Sequence, residues 1–172
     1  MGELHQNRVV VADSASLDSL TSRGFGTLEG KQMVLSHHEA LFLHGKGLLD
    51  VFKGKTKKPL GFQALLHLFG RVDDNVWMKY LVYRDLRSRG YVVREGFGLG
   101  IDFRVYERGE YRRATAPYLV FGVQEGKPVV AKQLASVLRH VQGLKKTLVL
   151  AVVNRRGEVV YYTLSKLTMN EL

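Results

Sequence analysis

Residues 147–153 form a continuous apolar run, Thr-Leu-Val-Leu-Ala-Val-Val, near the end of the chain. A run of this kind is typical of a central strand, because a strand inside a sheet is covered on both faces. Helix and strand patterns precede it, and a further strand pattern follows it. We therefore predict that the second half of the chain is an α/β-type domain that contains this strand.

The other elements of this domain are predicted from hydrophobic periodicity. A helix from Val76 to Arg89 ends at Gly90, and four of its side chains are directed to a core: Trp77, Tyr80, Leu81 and Leu86. A second helix carries the apolar stripe Val130, Leu134, Val137, Leu138 and Val141. Strands are predicted at residues 91–94, 101–106, 118–123 and 159–164. The predicted order is α-β-β-β-α-β-β.

Residues 1–74 are predicted to form a small N-terminal mixed α/β domain, and residues 75–172 the C-terminal domain. The boundary is placed where the segment 71–75 interrupts a helical pattern of apolar residues that begins at Phe62. The predicted fold class is therefore α/β (α+β).

Local signals also predict elements within the N-terminal domain. Residues 8–11 form a β-branched run, and the helix that follows can be capped by Ser14 or Ser16 and ended by Gly24. Ser36 and Glu39 have the spacing of a capping box in front of a second helix.

Composition narrows the possible functions. The chain has no cysteine, which removes disulfide scaffolds, thiolate nucleophiles and zinc fingers. The sequence has no apolar run approaching about 18 residues, and its start lacks the layout of a signal peptide. We therefore expect a cytoplasmic protein with no membrane partner.

The formal net charge of +10 is unevenly distributed. Residues 1–52 have a net charge of −2, whereas residues 53–172 have a net charge of +12. Such an excess favours a polyanionic partner, RNA or DNA before a membrane surface, and its alternative is a well-solvated basic surface. The basic segment from Lys53 to Pro59 is either a solvated connector or a loop that contacts phosphate.

Two further patterns are given structural roles. The glycine-rich segment 96–100 leads from one strand into another, so it is predicted to be a hairpin turn and not a dinucleotide-binding loop. His37, His38 and His44 lack a carboxylate at a useful offset, so they are predicted to have surface or capping roles. No metal site is predicted.

Three segments of the second half resemble the nuclease domain of archaeal tRNA-splicing endonucleases in both order and spacing. They are Tyr80–Val93, Ile101–Tyr106 and Leu148–Asn154. Upstream, Leu35–Leu43 is similar to the helix of that family's N-terminal domain. The resemblance covers nearly the whole chain.

The resemblance implies metal-independent cleavage of precursor tRNA at bulge-helix-bulge motifs, giving 2′,3′-cyclic phosphate and 5′-hydroxyl ends. Such chemistry needs a base, an acid and a cation, which the family supplies as tyrosine, histidine and lysine. By motif, Tyr106 falls at the tyrosine position and Lys146 at the lysine position. No cofactor is expected.

The histidine position differs from the family pattern, because Thr115 stands there. A threonine hydroxyl titrates far above neutrality, so it cannot deliver a proton as an imidazole does. Pro117 also stiffens the entry to the following strand. His140 is a possible substitute, but its place in a helix is expected to point it elsewhere.

The resemblance therefore implies a structural subunit of a heterotetramer whose paralogous partner carries the catalytic residues. The chain alone is expected to be inactive. Two alternatives stay open: an active homomeric nuclease with a substituted general acid, and a non-enzymatic RNA-binding module.

Other family features are matched in part. Arg139 matches the first of two base-clamping arginines, but the second falls near Tyr161 and Tyr162, where there is no arginine. The loop 123–128, which matches an acidic insert of the family, has only one acidic residue and one basic residue. The strand 159–164 resembles the edge through which family dimers pair.

Overall fold

The structure is a computed structural model that describes residues 1–54 and 58–166. Lys55, Thr56 and Lys57 of the predicted basic loop lie outside the described residues. The chain divides into two compact units, Met1–Arg84 and Asp85–Leu172. The domain boundary predicted after Asp74 stays a prediction. Among the helices in the described ranges, none has the length and apolar character needed to cross a membrane.

The N-terminal unit contains one five-stranded sheet in the order β3-β4-β2-β1-β5. Its elements are β1 Gly2–His5, β2 Arg8–Val11, α1 Ser14–Ser22, β3 Thr27–Glu29, β4 Gln32–Leu35, α2 His37–Gly45, β5 Val51–Lys53 and α3 Phe62–Gly70. Strand β5 pairs with β1 in parallel, and the other pairs are antiparallel. The predicted strand at residues 8–11 is confirmed, whereas β1, β3 and β4 were not predicted.

The start of α1 differs from its prediction. Asp13 caps the helix, and its carboxylate accepts hydrogen bonds from the Ser16 backbone N–H at 2.9 Å and the Ser16 hydroxyl at 2.6 Å. The side-chain hydrogen bond from Ser16 lowers the pKa of Asp13. Ser14 and Ser16 are therefore not the cap, since the carboxylate one residue before the helix accepts the Ser16 backbone N–H of the first turn. Gly24 follows the helix with φ 73°, as predicted.

The capping box of α2 is confirmed. The Glu39 backbone N–H donates to Ser36 Oγ at 3.4 Å, and Glu39 Oε2 accepts from the Ser36 backbone N–H at 3.0 Å. The other carboxylate oxygen accepts from the Gly26 backbone N–H at 3.0 Å. The buried Glu39 carboxylate therefore joins the start of α2 to the turn before β3 through these two hydrogen bonds.

The three histidines of α2 make hydrogen-bond contacts within the N-terminal unit. His37 Nε2 lies 2.9 Å from the Asn7 carbonyl oxygen, and His44 Nδ1 lies 3.0 Å from the Leu49 carbonyl oxygen. His38 is buried, with Nε2 2.8 Å from the Ser36 hydroxyl. The surface alternative is therefore wrong for His38, whose ring is buried against Tyr83, whereas its contact with the N-cap residue Ser36 fits the capping alternative.

The C-terminal unit contains a second five-stranded sheet in the order β10-β9-β8-β7-β6. The elements are α4 Val76–Ser88, which spans the division between the units, β6 Val92–Gly98, β7 Ile101–Tyr106, β8 Tyr118–Gln124, α5 Ala131–Gly143, β9 Thr147–Val153 and β10 Val159–Leu164. This order confirms the prediction α-β-β-β-α-β-β. The apolar run 147–153 is an interior strand, parallel to β8 and antiparallel to β10.

One face of this sheet packs against α5. Val137 and Val141 of the helix form a buried cluster with Leu119, Phe121 and Leu148 of the sheet. Val130 was predicted in the same stripe but is 63% exposed, because it is the N-cap residue and precedes the helical turns.

The predicted orientation of Trp77 in α4 is wrong. Trp77 is 42% exposed, whereas Tyr80, Leu81 and Leu86 are buried as predicted. Residues seven positions apart lie on the same face of a helix, and the residue seven positions after Trp77 is the exposed Arg84. Trp77 therefore lies on the solvent side of α4.

The glycine-rich segment connects β6 and β7 as the predicted hairpin. Leu99 and Gly100 form its tip, both with positive φ (57° and 84°). At Gly96 the two strands approach so closely that a Cβ atom would lie 1.9 Å from the Ile101 carbonyl oxygen. Only glycine fits at this position without moving the backbone.

We predict that Glu39→Gln lowers the free energy of unfolding by about 2 kcal/mol. An amide has only one acceptor oxygen, so the Ser36 or Gly26 backbone N–H loses its partner in a partly buried site. Urea denaturation followed by fluorescence measures this loss in the N-terminal unit, since Trp77 is the only tryptophan in the sequence.

The matched control is Glu29→Gln, because the Glu29 side chain is 57% exposed and lies 3.6 Å from Arg8. It should change the free energy of unfolding by no more than about 0.5 kcal/mol. Equal losses in the two variants would contradict the role given to the Glu39 carboxylate.

Candidate functional site

Tyr106 and Lys146 lie at the same end of the C-terminal sheet. Val105 pairs with Tyr118 between β7 and β8, and Tyr118 pairs with Thr147 between β8 and β9. Tyr106 follows Val105, and Lys146 precedes Thr147. Each side chain is therefore one residue beyond the same row of three paired residues.

The two residues also share a face of the sheet. Leu119 and Leu148 pair with each other and pack on the side of α5, and Arg104 pairs with Leu119. Side chains two residues apart point to the same side of a strand. Tyr106 lies two residues after Arg104, and Lys146 lies two residues before Leu148. Both are therefore on the face that α5 covers.

Lys146 is positioned by the end of α5. Its backbone N–H donates to the Val141 carbonyl oxygen at 3.2 Å, and the preceding residue, Lys145, has φ 54°. The next backbone N–H, that of Thr147, donates to the Pro117 carbonyl oxygen at 3.0 Å. These two bonds fix the backbone on both sides of the half-buried Lys146.

Thr115 and Lys146 are in direct contact. Lys146 Nζ donates a hydrogen bond to Thr115 Oγ1. The residue at the predicted histidine position therefore meets the residue at the predicted lysine position, although the two lie on different segments of the chain. An uncharged hydroxyl is the partner of the ammonium group here.

Tyr106 is half-buried beside the loop that follows β7. The centroid of its ring lies 5.1 Å from that of Tyr111, and the two rings are nearly perpendicular. The structure therefore brings Thr115 and Lys146 into contact and places Tyr106 at the same end of the sheet, against an aromatic neighbour.

His140 lies in the last part of α5, and its ring faces the β6–β7 hairpin. The imidazole packs edge-on against Phe97 with a centroid separation of 6.4 Å. The guanidinium of Arg104 lies over the same Phe97 ring at 5.8 Å. This packing directs His140 toward the hairpin, as expected from its place in a helix.

Of the two positions predicted for base-clamping arginines, one carries an arginine in this chain and the other does not. Arg139 is exposed on α5, and its role as a base clamp stays a prediction. On β10 no arginine is present, but Arg89 lies with its guanidinium over the Tyr161 ring at 5.6 Å. The sequence analysis missed this arrangement because Arg89 comes from the end of a distant helix.

Asp85 holds Arg89 and Tyr161 together. Arg89 Nε donates to Asp85 Oδ2 at 2.7 Å, and the Tyr161 hydroxyl donates to the same oxygen at 2.8 Å. The i,i+4 spacing of Asp85 and Arg89 was the available sequence signal. Tyr161 pairs with Ala151, so it lies on the sheet face opposite Lys146.

Burial, followed by the hydrogen bond to Asp85, raises the pKa of Tyr161 above its ordinary value. The hydrogen bond to Asp85 also raises the pKa of Arg89. At the start of β8, the Tyr118 hydroxyl donates to Glu107 at 3.2 Å, and this bond raises the pKa of Tyr118. All three groups keep their protons at neutral pH.

The acidic residue of the loop after β8 accepts a hydrogen bond within this chain. Glu125 accepts a hydrogen bond from the Arg155 backbone N–H at 3.1 Å.

The strand order places β10 at the edge of the sheet, with Val160 and Tyr162 about half exposed (48% and 55%). In the described ranges, 1–54 and 58–166, no group of three or more His, Asp or Glu side chains is arranged to hold a metal ion.

These features define a two-domain chain of the intron-endonuclease class, and two family models match it. The N-terminal domain of tRNA intron endonucleases matches residues 1–66, and their catalytic C-terminal domain matches residues 76–161. The chain belongs to the tRNA intron endonuclease family.

Curated relatives agree with this assignment. The tRNA-splicing endonuclease of Methanococcus vannielii is 34% identical over 167 residues, which cover 97% of this chain and 94% of the relative. That of Pyrococcus furiosus is 38% identical over 141 residues, covering 82% and 80% of the two chains. That of Thermococcus kodakarensis is 34% identical over 161 residues, covering 92% and 93%.

We predict that Tyr161→Phe lowers the free energy of unfolding at neutral pH by about 1 kcal/mol and that this difference shrinks above pH 10. The variant loses the hydrogen bond to Asp85. In the wild type, the folded state keeps the Tyr161 proton while the unfolded state releases it above about pH 10, so stability falls as the pH rises.

Urea denaturation across the alkaline range measures both curves. Tyr162→Phe is the control, because it removes an exposed hydroxyl from the same strand and leaves Tyr161 in place. Its pH dependence should follow that of the wild type. Parallel curves for Tyr161→Phe and the wild type above pH 10 would contradict the raised pKa of Tyr161.

Proposed function

We propose that this chain is a structural, non-catalytic subunit of a tRNA-splicing endonuclease that excises introns from precursor tRNA at bulge-helix-bulge motifs. The products are 2′,3′-cyclic phosphate and 5′-hydroxyl ends. The observation that supports the proposal is the hydrogen bond from Lys146 Nζ to Thr115 Oγ1, because Thr115 stands at the position where the resemblance predicts a histidine.

The chemistry explains why this substitution matters. The 2′-oxygen attacks phosphorus as its proton passes to a base, and the bond from phosphorus to the 5′-oxygen breaks as that oxygen receives a proton. A threonine hydroxyl cannot serve as the proton donor near neutral pH, and loss of a general acid typically costs about 10²–10⁴ in rate. Tyr106 and Lys146 by themselves leave this proton transfer unassisted.

The proposed partner is a paralogous subunit with the complete Tyr, His and Lys set, in a heterotetramer. This chain would contribute the edge strand β10 and the basic surface of its second half. Because Glu125 is already bonded to the Arg155 backbone, the stronger acidic insert would come from the partner.

A second candidate is an active homomeric endonuclease with a different general acid. The presence of Tyr106 and Lys146 at the same end of the sheet favours it. His140 is the substitute that the sequence offers, but its ring packs against Phe97. For this reason we prefer the structural role.

We predict that the chain alone does not cleave a bulge-helix-bulge RNA in the presence of EDTA, and that it increases cleavage when mixed with its paralogue. The reason is that the general acid would come from the partner while this chain completes the assembly. Gel analysis of end-labelled RNA under single-turnover conditions measures each rate, with the paralogue alone as a third sample.

An RNA with 2′-deoxyribose at the cleaved positions is the control, since it lacks the attacking hydroxyl and should stay intact in every sample. Cleavage by the lone chain at the rate of the mixture would refute the structural role. A mixture no faster than the paralogue alone would refute the partnership.

A further inference from the structure

The loop between β7 and β8, residues 107–114, is ordered by its own backbone. The Glu110 N–H donates to the Glu107 carbonyl oxygen at 3.1 Å, and the N–H groups of Arg113 and Ala114 both donate to the Glu110 carbonyl oxygen at 3.0 Å. The loop begins directly after Tyr106 and ends directly before Thr115. Its backbone is therefore held beside the candidate site.

Tyr111 and Arg112 form a stacked pair at the centre of this loop. The Arg112 guanidinium lies over the Tyr111 ring at 5.6 Å from the centroid, and the Tyr111 ring is 5.1 Å from that of Tyr106. An aromatic surface attracts a guanidinium and restricts its orientation. The Arg112 guanidinium therefore lies against an aromatic cluster that also contains Tyr106.

Arg112 adopts a backbone conformation that is unfavourable for a residue with a side chain. Its φ is 72°, in the left-handed region that glycine occupies without strain. Glycine would relieve this backbone strain but would lose the stack on Tyr111. An exposed arginine held in strained geometry beside a candidate site points to a ligand that its side chain binds in addition to its contacts within the chain.

The chemistry of the pair fits a phosphate group. A guanidinium presents a planar set of donors that matches two phosphate oxygens, and prior restriction of its orientation reduces the entropy lost on binding. Arg113 is exposed next to it, and Lys145 and Lys146 lie at the same end of the sheet. The loop also carries Glu107 and Glu110, so the net positive charge here is moderate, but its spread over several side chains suits an RNA backbone better than a single anion.

We infer that Tyr111 and Arg112 form a phosphate-binding element for the RNA strand that passes Tyr106. The element binds the strand whether or not this chain cleaves it. The inference rests on the proposed function only for the identity of the polyanion, precursor tRNA, and it adds a binding element to the tyrosine, lysine and clamp positions discussed above.

The test is binding of the full chain to a bulge-helix-bulge RNA with 2′-deoxyribose at the cleaved positions, measured over a series of KCl concentrations. For Arg112→Gly, the dissociation constant should rise by about tenfold or more. The slope of log K against log salt should become shallower by roughly 0.7–0.9, as expected for the loss of one phosphate contact.

The same variant should shift its midpoint in urea denaturation only slightly, because glycine relieves the positive φ while the stack on Tyr111 is lost. Arg112→Lys keeps the charge but loses the planar stack, so it should retain the salt slope and lose part of the affinity. This second variant keeps the inference testable if the glycine variant folds poorly.

The matched control is Arg156→Gln, which removes one exposed charge from the turn between β9 and β10. That turn lies at the opposite end of β9 from Lys146, roughly 20 Å away for seven extended residues. Its affinity and salt slope should stay close to those of the wild type.

Wild-type affinity in Arg112→Gly, an equal loss in Arg156→Gln, or no binding by the wild-type chain would each overturn the inference. None of these results measures catalysis, so they leave the structural-subunit proposal standing. Conversely, cleavage by the lone chain would refute the structural role without changing the binding of Arg112 variants to uncleavable RNA.

Discussion

The parallel pairing of β8 with β9 is the constraint on which the C-terminal unit depends. Seven residue pairs join the strands, from Tyr118 with Thr147 to Gln124 with Val153. Parallel neighbours cannot be joined by a hairpin, so the chain has to cross over the sheet, and α5 is this connection. Because α5 returns the chain to the start of β8, Lys146 arrives beside the segment that contains Thr115. The contact between Thr115 and Lys146 is a consequence of this crossover.

Much of the C-terminal fold could be predicted from the sequence, because its elements are long enough to show their periodicity. The run 147–153 and the stripe around Val137 and Val141 are examples. The short strands of the N-terminal sheet could not be predicted in the same way. Strand β1 has four residues and includes both glycine and histidine, and its position depends on pairing with β2 and β5. Such strands are stabilised by pairing with neighbouring strands, and their own residues show little hydrophobic alternation.

The candidate site likewise combines features that short sequence motifs predict with contacts between distant segments of the chain. The motifs around Tyr106 and Lys146 predict roles that stay predictions, and the threonine at position 115 is read directly from the sequence. The hydrogen bond between Thr115 and Lys146 could not be predicted, because it depends on strand register. The Arg89–Tyr161 stack was missed for the same reason, whereas the capping box of Ser36 and Glu39 is purely local and was found. The net charge of +12 in residues 53–172 now has a specific interpretation, since part of it lies beside the candidate site.

The proposed structural role depends on one feature of the candidate site: position 115, within reach of Lys146, carries a threonine and not an imidazole. The most direct measurement is the single-turnover rate of bulge-helix-bulge RNA cleavage by Thr115→His, with Thr115→Val as the control for removal of the hydroxyl. The account predicts that Thr115→His cleaves about 10²–10⁴ times faster than the wild type and that Thr115→Val shows no gain. A folded, RNA-binding Thr115→His variant that cleaves no faster than the wild type would contradict the account.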